Sequence, residues 1–365
     1  MFTCLLITYT HDSIYRIIKG ICIVKKGGFW YNDRIENAEN RAFADEDGRK
    51  KRMKMNIMIV TNSRYIKPAY VMLYSLFVNH PSEEMDVYLP YEDLTVEELD
   101  ALTDFVGSFS GKVLHPLYVG SAFKERVVSR NGINVETYYR ILGIDLLPEE
   151  LDRILYLDVD MVICGSLGGL YETDLTGCPF AVAEDIFGII NGFHDGNRRR
   201  LGIPLSYSYF NAGVMLYNLQ YLKVTNEAER MLENIYQNYE RYEYNDQDVM
   251  NELYYDRLRY VGWDQYNCPP AWYYIDKQAM AEGRLAFAGY NTLRQLGQTP
   301  QTLVERYQNV TKEICQNAKI IHYLADTKPW STTRETAAVY EIFDPVYMQY
   351  ENETKQYRNK IGQEQ

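Results

Sequence analysis

From residue 55 onward, short apolar runs alternate with longer stretches of helical spacing. NIMIVT (56–61) is an apolar run of strand length. Pro68, which needs no N–H in a first turn, opens a helical repeat over residues 69–78. DVYLP (86–90) reads as a second strand. Thr95 and Glu98 form a capping box ahead of an amphipathic helix reaching Phe109, and KVLHPLYV (112–119) is a third strand. VETYYRILGIDLL (135–147) has helical spacing and leads into ILYLDVDMVI (154–163). Strands alternating with helices of this length predict an α/β sheet. Later the pattern loosens. FAVAE (180–184), FNAGVMLYN (210–218) and KIIHY (319–323) keep strand character, and helices are expected near 226–240 and 246–256. These features predict one domain over residues 55–330 and a helical or irregular tail over 331–365.

Within ILYLDVDMVI, eight apolar or aromatic residues surround Asp158 and Asp160. An ionised carboxylate is costly to bury without a cation or strong donors. Residues two apart in a strand share a face, so the two acids project together, with Val159 opposite. The turn signal Cys164-Gly165-Ser166 follows, placing the pair near a strand's C-terminal end, where open α/β sheets bind ligands. Two such carboxylates suit Mg2+ or Mn2+, and phosphates with it. The bland alternative, an incidental pair on an edge strand, fits poorly with apolar flanks on both sides.

Composition narrows the field. A net charge of −12 argues against binding a phosphate backbone, so no nucleic-acid partner is expected. The 34 Tyr suit sugar recognition, but Tyr is also a good filler of half-buried surface, and that reading leads. The six Cys show no metal-like spacing and fit a reduced, cytoplasmic protein. Residues 1–54 carry eleven Lys or Arg against seven Asp or Glu, a net +4, and the remainder 27 against 43, a net −16. That shift marks a boundary: residues 1–54 are an N-terminal extension, read as a mis-called start upstream of Met53 or Met55, with a basic appendage as the alternative. No run reaches the roughly 18 apolar residues of a spanning helix. Residues 331–365, with four basic and six acidic residues, do not seek anionic lipid, so membrane contact is at most peripheral, at the inner face.

Two enzyme classes end an apolar strand in D-x-D. Haloacid-dehalogenase-like phosphatases use D-x-D-x-[TV], which DVDMV (158–162) satisfies. Nucleotide-sugar glycosyltransferases of the GT-A type use the acids to hold a metal. About a hundred residues of α/β pattern precede the motif here, and no G-D-x-x-x-D-like segment follows, so the phosphatase is the minor reading. The chain resembles glycosyltransferase family 8, the retaining GT-A group that includes bacterial lipopolysaccharide galactosyl- and glucosyltransferases and glycogenin. The resemblance rests on TYYRILGIDLLP, ILYLDVDMVICGSL, YFNAGVMLYNL (209–219), YNDQDVMN (244–251) and HYLADTKPW (322–330), in the family's order.

The resemblance implies a Rossmann-like, nucleotide-sugar-binding single domain with a mixed central sheet and a helical C-terminal tail. It implies a retaining hexosyltransferase moving glucose or galactose from UDP-glucose or UDP-galactose to a saccharide acceptor, lipopolysaccharide or another cell-surface glycan. Asp158, Asp160 and His322 are the expected ligands of Mn2+ or Mg2+. Thr61, Asn62, Tyr65, Arg140, Asn211, Ala212, Gly213 and Lys328 are expected to bind the donor, with Asp185, Asp246 and Gln247 as the catalytic set; Asp246 is also a candidate helix cap. Two departures stand out. Asn62-Ser63-Arg64-Tyr65 replaces a D-x-N-Y-like run, and Ala325 stands where a Gly usually offers its amide to the diphosphate. They motivate a further alternative, a UDP-sugar-binding protein without turnover. Gln247 is a poor nucleophile, so front-face attack by the acceptor is favoured over a covalent intermediate.

Overall fold

The apolar run after Lys54 is the centre of a seven-stranded sheet of order β12-β10-β11-β8-β5-β6-β7. Its strands are β5 (Lys54–Met58), β6 (Glu84–Tyr91), β7 (Lys112–Tyr118), β8 (Arg153–Leu157), β10 (Phe180–Glu184), β11 (Phe210–Asn218) and β12 (Arg259–Val261). After their first residues β5 and β8 are buried throughout, as strands covered on both faces must be. All strands run parallel except β11, which is antiparallel to both of its neighbours. One edge of the sheet therefore collects the C-terminal ends of six strands and the start of β11.

This computed structural model describes residues 54–120, 135–191, 194–270, 317–325, 328–331 and 343–363, besides four strands before residue 33. Those four, β1 (Ile7–Thr10), β2 (Ser13–Ile18), β3 (Ile21–Lys26) and β4 (Phe29–Asn32), pair antiparallel in order and belong to a unit of their own, Met1–Met53. The rest of the extension expected over residues 1–54 lies outside the described residues, apart from Lys54.

The run ILYLDVDMVI, expected as one strand, is two. β8 stops at Leu157, and β9 (Met161–Ile163) pairs antiparallel with β13 (Ile320–His322) in a separate two-stranded ribbon. The physical reason is a change of hydrogen-bond partner at the acids. Asp158 N donates to Gly213 O at 2.8 Å, whereas Asp160 O accepts from Tyr323 N at 2.8 Å. The acids sit at the joint between two sheets.

Helices cover the sheet: α1 (Ile66–Val78), α2 (Val96–Gly107), α3 (Tyr139–Leu146), α4 (Ile186–Asn191), α5 (His194–Leu201), α6 (Glu227–Asn238), α7 (Asn245–Tyr254) and α8 (Asp344–Lys360). The capping box of Thr95 and Glu98 is present on α2. The tail forms α8, whose Tyr357 stacks on Phe109 with ring centroids 4.5 Å apart and whose Tyr350 hydroxyl accepts from Asn79 at the end of α1. Among the described residues no helix is long and apolar enough to cross a membrane.

His80, beyond the end of α1, is fully buried. Its Nδ1 lies 2.7 Å from Leu76 O, and its Nε2 accepts from Leu167 N at 2.8 Å, so the neutral ring satisfies both nitrogens. Burial holds its pKa below the ordinary 6.5, although the Leu76 carbonyl opposes that shift. The unfolded chain then binds the extra proton more readily, so stability is full above pH 6.5 and falls as the pH drops below it. Urea midpoints between pH 7.5 and 5 should show this slope, and His80→Gln should flatten it while lowering the midpoint throughout. An unchanged slope in the variant would remove His80 from the account.

Candidate active site

At the sheet edge where β11 begins, its ladder with β10 skips. Val182 pairs with Met215 but Ala183 with Asn211, which leaves Ala212, Gly213 and Val214 unmatched on that side. Bulges of this kind re-aim a strand near functional sites. Here the arch carries Gly213 under the two acids. A Cβ on Gly213 would stand 2.2 Å from His322 Cε1 and 2.8 Å from both His322 Nδ1 and Asp158 Oδ2, so only glycine fits.

The β9–β13 ribbon brings in the histidine. His322 pairs with Met161, is fully buried, and holds Nε2 3.0 Å from Asp160 Oδ1 and 3.6 Å from Asp158 Oδ2. Its tautomer follows from a backbone donor. Gly213 N–H donates to Asn211 at 3.0 Å, so the atom there is Oδ1; that oxygen also accepts from Asn267 Nδ2 at 2.9 Å. Asn267 Oδ1 then faces His322 Nδ1 at 2.8 Å, and Nδ1 carries the proton. The nitrogen facing the acids is left with a lone pair. Only a shared cation, a metal ion or a second ring proton, makes that contact favourable. Donor atoms of Asp158, Asp160 and His322 all lie within 4.8 Å of one another, and this set of two carboxylates and one imidazole fits a divalent ion.

Cations flank the acids. Arg140, buried on α3, donates Nη2–H to Asp158 Oδ1 at 2.9 Å and Nη1–H to Ala212 O at 2.6 Å, with its guanidinium 4.1 Å over the Tyr156 ring. Tyr156 donates its hydroxyl to the same Asp158 oxygen at 2.6 Å. Lys328 donates to Asp160 and, at 3.2 Å, to Tyr323 O, lying 5.4 Å from the Tyr65 ring centroid and 5.7 Å from that of Trp330. Burial works to raise the Asp160 pKa, but Lys328 and His322 overturn it and hold the carboxyl far below the usual range.

Two further acids are buried. Asp185, next to β10, accepts from Gly188 N at 3.0 Å, and burial pushes its pKa up to about 6 against that bond. Asp246 is the second residue of α7, not its cap, which is Tyr244. Its Oδ2 lies 3.1 Å from Arg140 Nε yet accepts no hydrogen bond, and burial raises it to about 6 with Arg140 opposing. An unsatisfied oxygen at that depth points to a missing donor such as a hydroxyl. Gln247 Oε1 accepts from Ala212 N at 2.9 Å and Asn211 Nδ2 at 3.2 Å.

Thr61 and Asn62 lie buried after β5 on the same edge. Asn62 Oδ1 accepts from the amides of Arg64 and Tyr65, each at 3.1 Å, so its oxygen is committed to the turn that starts α1. Ala325 has φ 46°. A left-handed alanine costs about 1 kcal/mol, so Ala325→Gly should raise the urea midpoint by that order; a lowered midpoint would contradict the strain. The sequence reading missed Tyr156, Asn267, Tyr209 and Asp248. Tyr156, Tyr209 and Asp248 lie within the quoted motifs, but nothing next to Asn267 marks it.

The fold is that of solved glycosyltransferases. The galactosyltransferase LgtC, crystallised with donor and acceptor sugar analogues, matches with a TM-score of 0.61 at 20% identity, covering 82% of this chain and 96% of that one. The bifunctional glycosyltransferase WbbM matches at 0.62 and 18%, covering 83% and 51%. The class is therefore the GT-A glycosyltransferase fold. Residues 56–334 match the sequence profile of glycosyl transferase family 8, and the chain belongs to that family of enzymes. General stress protein A of Bacillus subtilis is 25% identical over 81% of this chain and 93% of its own length. The lipopolysaccharide 1,2-glucosyltransferase of Escherichia coli K12 is 28% identical over 53% of this chain, and GlyE of Streptococcus pneumoniae 26% identical over 59%. The chain spans 48% of the length of each of the last two.

Proposed function

We propose that the protein is a retaining hexosyltransferase that moves glucose or galactose from a UDP-sugar to a saccharide acceptor, lipopolysaccharide or another cell-surface glycan. The observation that carries this is His322 Nε2 held 3.0 Å from Asp160 and 3.6 Å from Asp158, an arrangement that suits a cation where the diphosphate of a nucleotide sugar would lie. Mn2+ suits the mixed nitrogen and oxygen donors, Mg2+ being the alternative, and when bound supplies Lewis-acid neutralisation of the diphosphate. Lys328, which donates to Asp160, supports the departing phosphate with its positive charge. Arg140 holds Asp158 in register and keeps Asp246 beside the sugar pocket.

For the transfer itself, the acceptor oxygen forms the new bond to C1 as the C1–phosphate oxygen bond breaks. The acceptor proton passes to the leaving phosphate oxygen. Gln247 does not serve as nucleophile, because Oε1 already accepts two hydrogen bonds. Asp246, with one buried oxygen that accepts no hydrogen bond, is placed for a sugar hydroxyl, and Asp185 follows β10 on the same edge of the sheet. Thr61, the Asn62 amide and the Tyr65 ring take the uracil and ribose; Asn211, Ala212 and Gly213 shape the sugar side. Family membership sets aside the phosphatase reading of D-x-D. We place the enzyme in the cytoplasm, with at most peripheral contact at the inner face of the membrane.

Thermal melting with UDP-glucose or UDP-galactose, each with Mn2+ or EDTA, tests this. Ligand bound to the native state raises the midpoint by mass action, about 2.7 kcal/mol at a hundredfold excess over Kd. The expected result is a Mn2+-dependent rise, larger with one sugar. No rise with either sugar in Mn2+ overturns the donor assignment, and a rise without Mn2+-dependent turnover favours the binding-only alternative.

A further inference from the structure

Behind Gln247 lies a polar chain that the reaction outlined above does not use. Asp248 on α7 is fully buried, as is Tyr209, the residue before β11. An isolated carboxylate at that depth costs several kcal/mol. Asp248 is instead surrounded by donors. Arg200 on α5 reaches Oδ2 from Nη1 at 2.9 Å and Oδ1 from Nη2 at 3.3 Å. The amides of Glu243 and Tyr244 reach Oδ2 at 2.7 and 2.9 Å, and the Tyr209 hydroxyl reaches Oδ1 at 2.6 Å. Burial together with Asp248 holds the Tyr209 phenol protonated.

Because the Tyr209 proton is given to Asp248, its oxygen can only accept from Gln247, whose Nε2 lies 3.2 Å away. The other end of the carboxamide meets Ala212 N, a backbone donor, at 2.9 Å, so the atom there is Oε1. Both ends agree. A flipped amide would set N–H against N–H at Ala212 and an oxygen against the Tyr209 oxygen. Through Asn211 the chain continues to Asn267 and His322, so one hydrogen-bonded path runs from Arg200 to a candidate metal ligand.

We propose that Tyr209, Asp248 and Arg200 are positioning residues that lock the rotation of the Gln247 carboxamide, so that its second N–H, and not its carbonyl oxygen, faces the donor sugar. This rests on the reading that Gln247 lies beside that sugar. A fixed N–H recognises an oxygen of the hexose, which makes Gln247 an orienting donor.

The test uses the full chain and Tyr209→Phe, which removes one oxygen and keeps the ring. In protein labelled with 15N-glutamine, the Gln247 side-chain amide, assigned by its loss in Gln247→Glu, should show two well-separated protons slow to exchange with solvent. In Tyr209→Phe they should move to the shifts and exchange rate of a free amide. An unchanged pair overturns the lock whatever the substrate is. With UDP-glucose and UDP-galactose in Mn2+, Tyr209→Phe should lower kcat by roughly tenfold to a hundredfold while KM stays within about threefold, because misplacement penalises the transition state more than binding. Unchanged kcat overturns the catalytic half of the proposal. If the wild type itself turns over neither sugar, the donor assignment and the sugar-facing role fail while the amide spectra still decide the lock. Should Tyr209→Phe not fold, Arg200→Gln at the far end of the chain takes its place, with the same signs expected.

Discussion

His322→Ala is expected to lower Mn2+-dependent turnover of UDP-hexose by on the order of a hundredfold to a thousandfold, with the fold intact. The His322 side chain is fully buried, so a thermal melt of the variant accompanies the rates. Its loss removes the one nitrogen donor of the candidate metal set and leaves Asn267 Oδ1 without the proton it accepts at 2.8 Å. Asp158 and Asp160 would keep Arg140 and Lys328 as partners but hold a metal less firmly. Steady-state rates across a Mn2+ titration, with bound metal counted on the purified protein, distinguish weaker binding from slower chemistry. Full turnover in the variant would mean that the third ligand comes from elsewhere.

Gly213→Ala should disable the same site by a different route. The added methyl would lie 2.2 Å from His322 Cε1, and that ring cannot retreat: it is buried and pinned by Asn267 on one nitrogen and Asp160 beside the other. Relief must come from moving the imidazole or the Asp158 carboxylate, either of which dismantles the donor set. Overpacking of this kind costs about 1–3 kcal/mol, and the metal affinity should fall with it. Gly143→Ala is the control. There the methyl would meet Pro90 Cγ at 2.5 Å and Met58 Sδ at 3.2 Å, away from the acids, so stability should fall while the Mn2+ requirement of the folded fraction is unchanged. Equal Mn2+ dependence in both variants would sink the close-approach explanation for Gly213.

Much of this architecture is legible in the sequence, and the exceptions have a common cause. Alternation of buried strands with helices gives the parallel half of the sheet, because each β-α step is local. The D-x-D acids stand out because charge within an apolar run is rare. What the pattern cannot show is long-range pairing. A period of two describes ILYLDVDMVI equally well as one strand or as two strands meeting at a joint, and the partner that decides lies in β13. The direction of β11 and the skip that arches Gly213 under the acids are likewise set by neighbours distant in sequence. Polar partners escape the pattern for another reason. The Tyr excess looks like surface filler, yet the hydroxyls of Tyr156 and Tyr209 close the hydrogen bonding of Asp158 and Asp248. Asp246 looks like a cap at the head of a helix, but Arg140 draws it inward.

The joint between the two sheets also sets an order of events during synthesis. Asp158 leaves the ribosome after Arg140, so its charge has a partner as soon as the first strands pair. Asp160 has no such early companion: its partners are His322 and Lys328, 162 and 168 residues further on. At bacterial or eukaryotic elongation rates that is a delay of roughly ten to thirty seconds. Throughout it the nascent sheet carries an acid whose partners do not yet exist, so the site is completed long after its first acid is made.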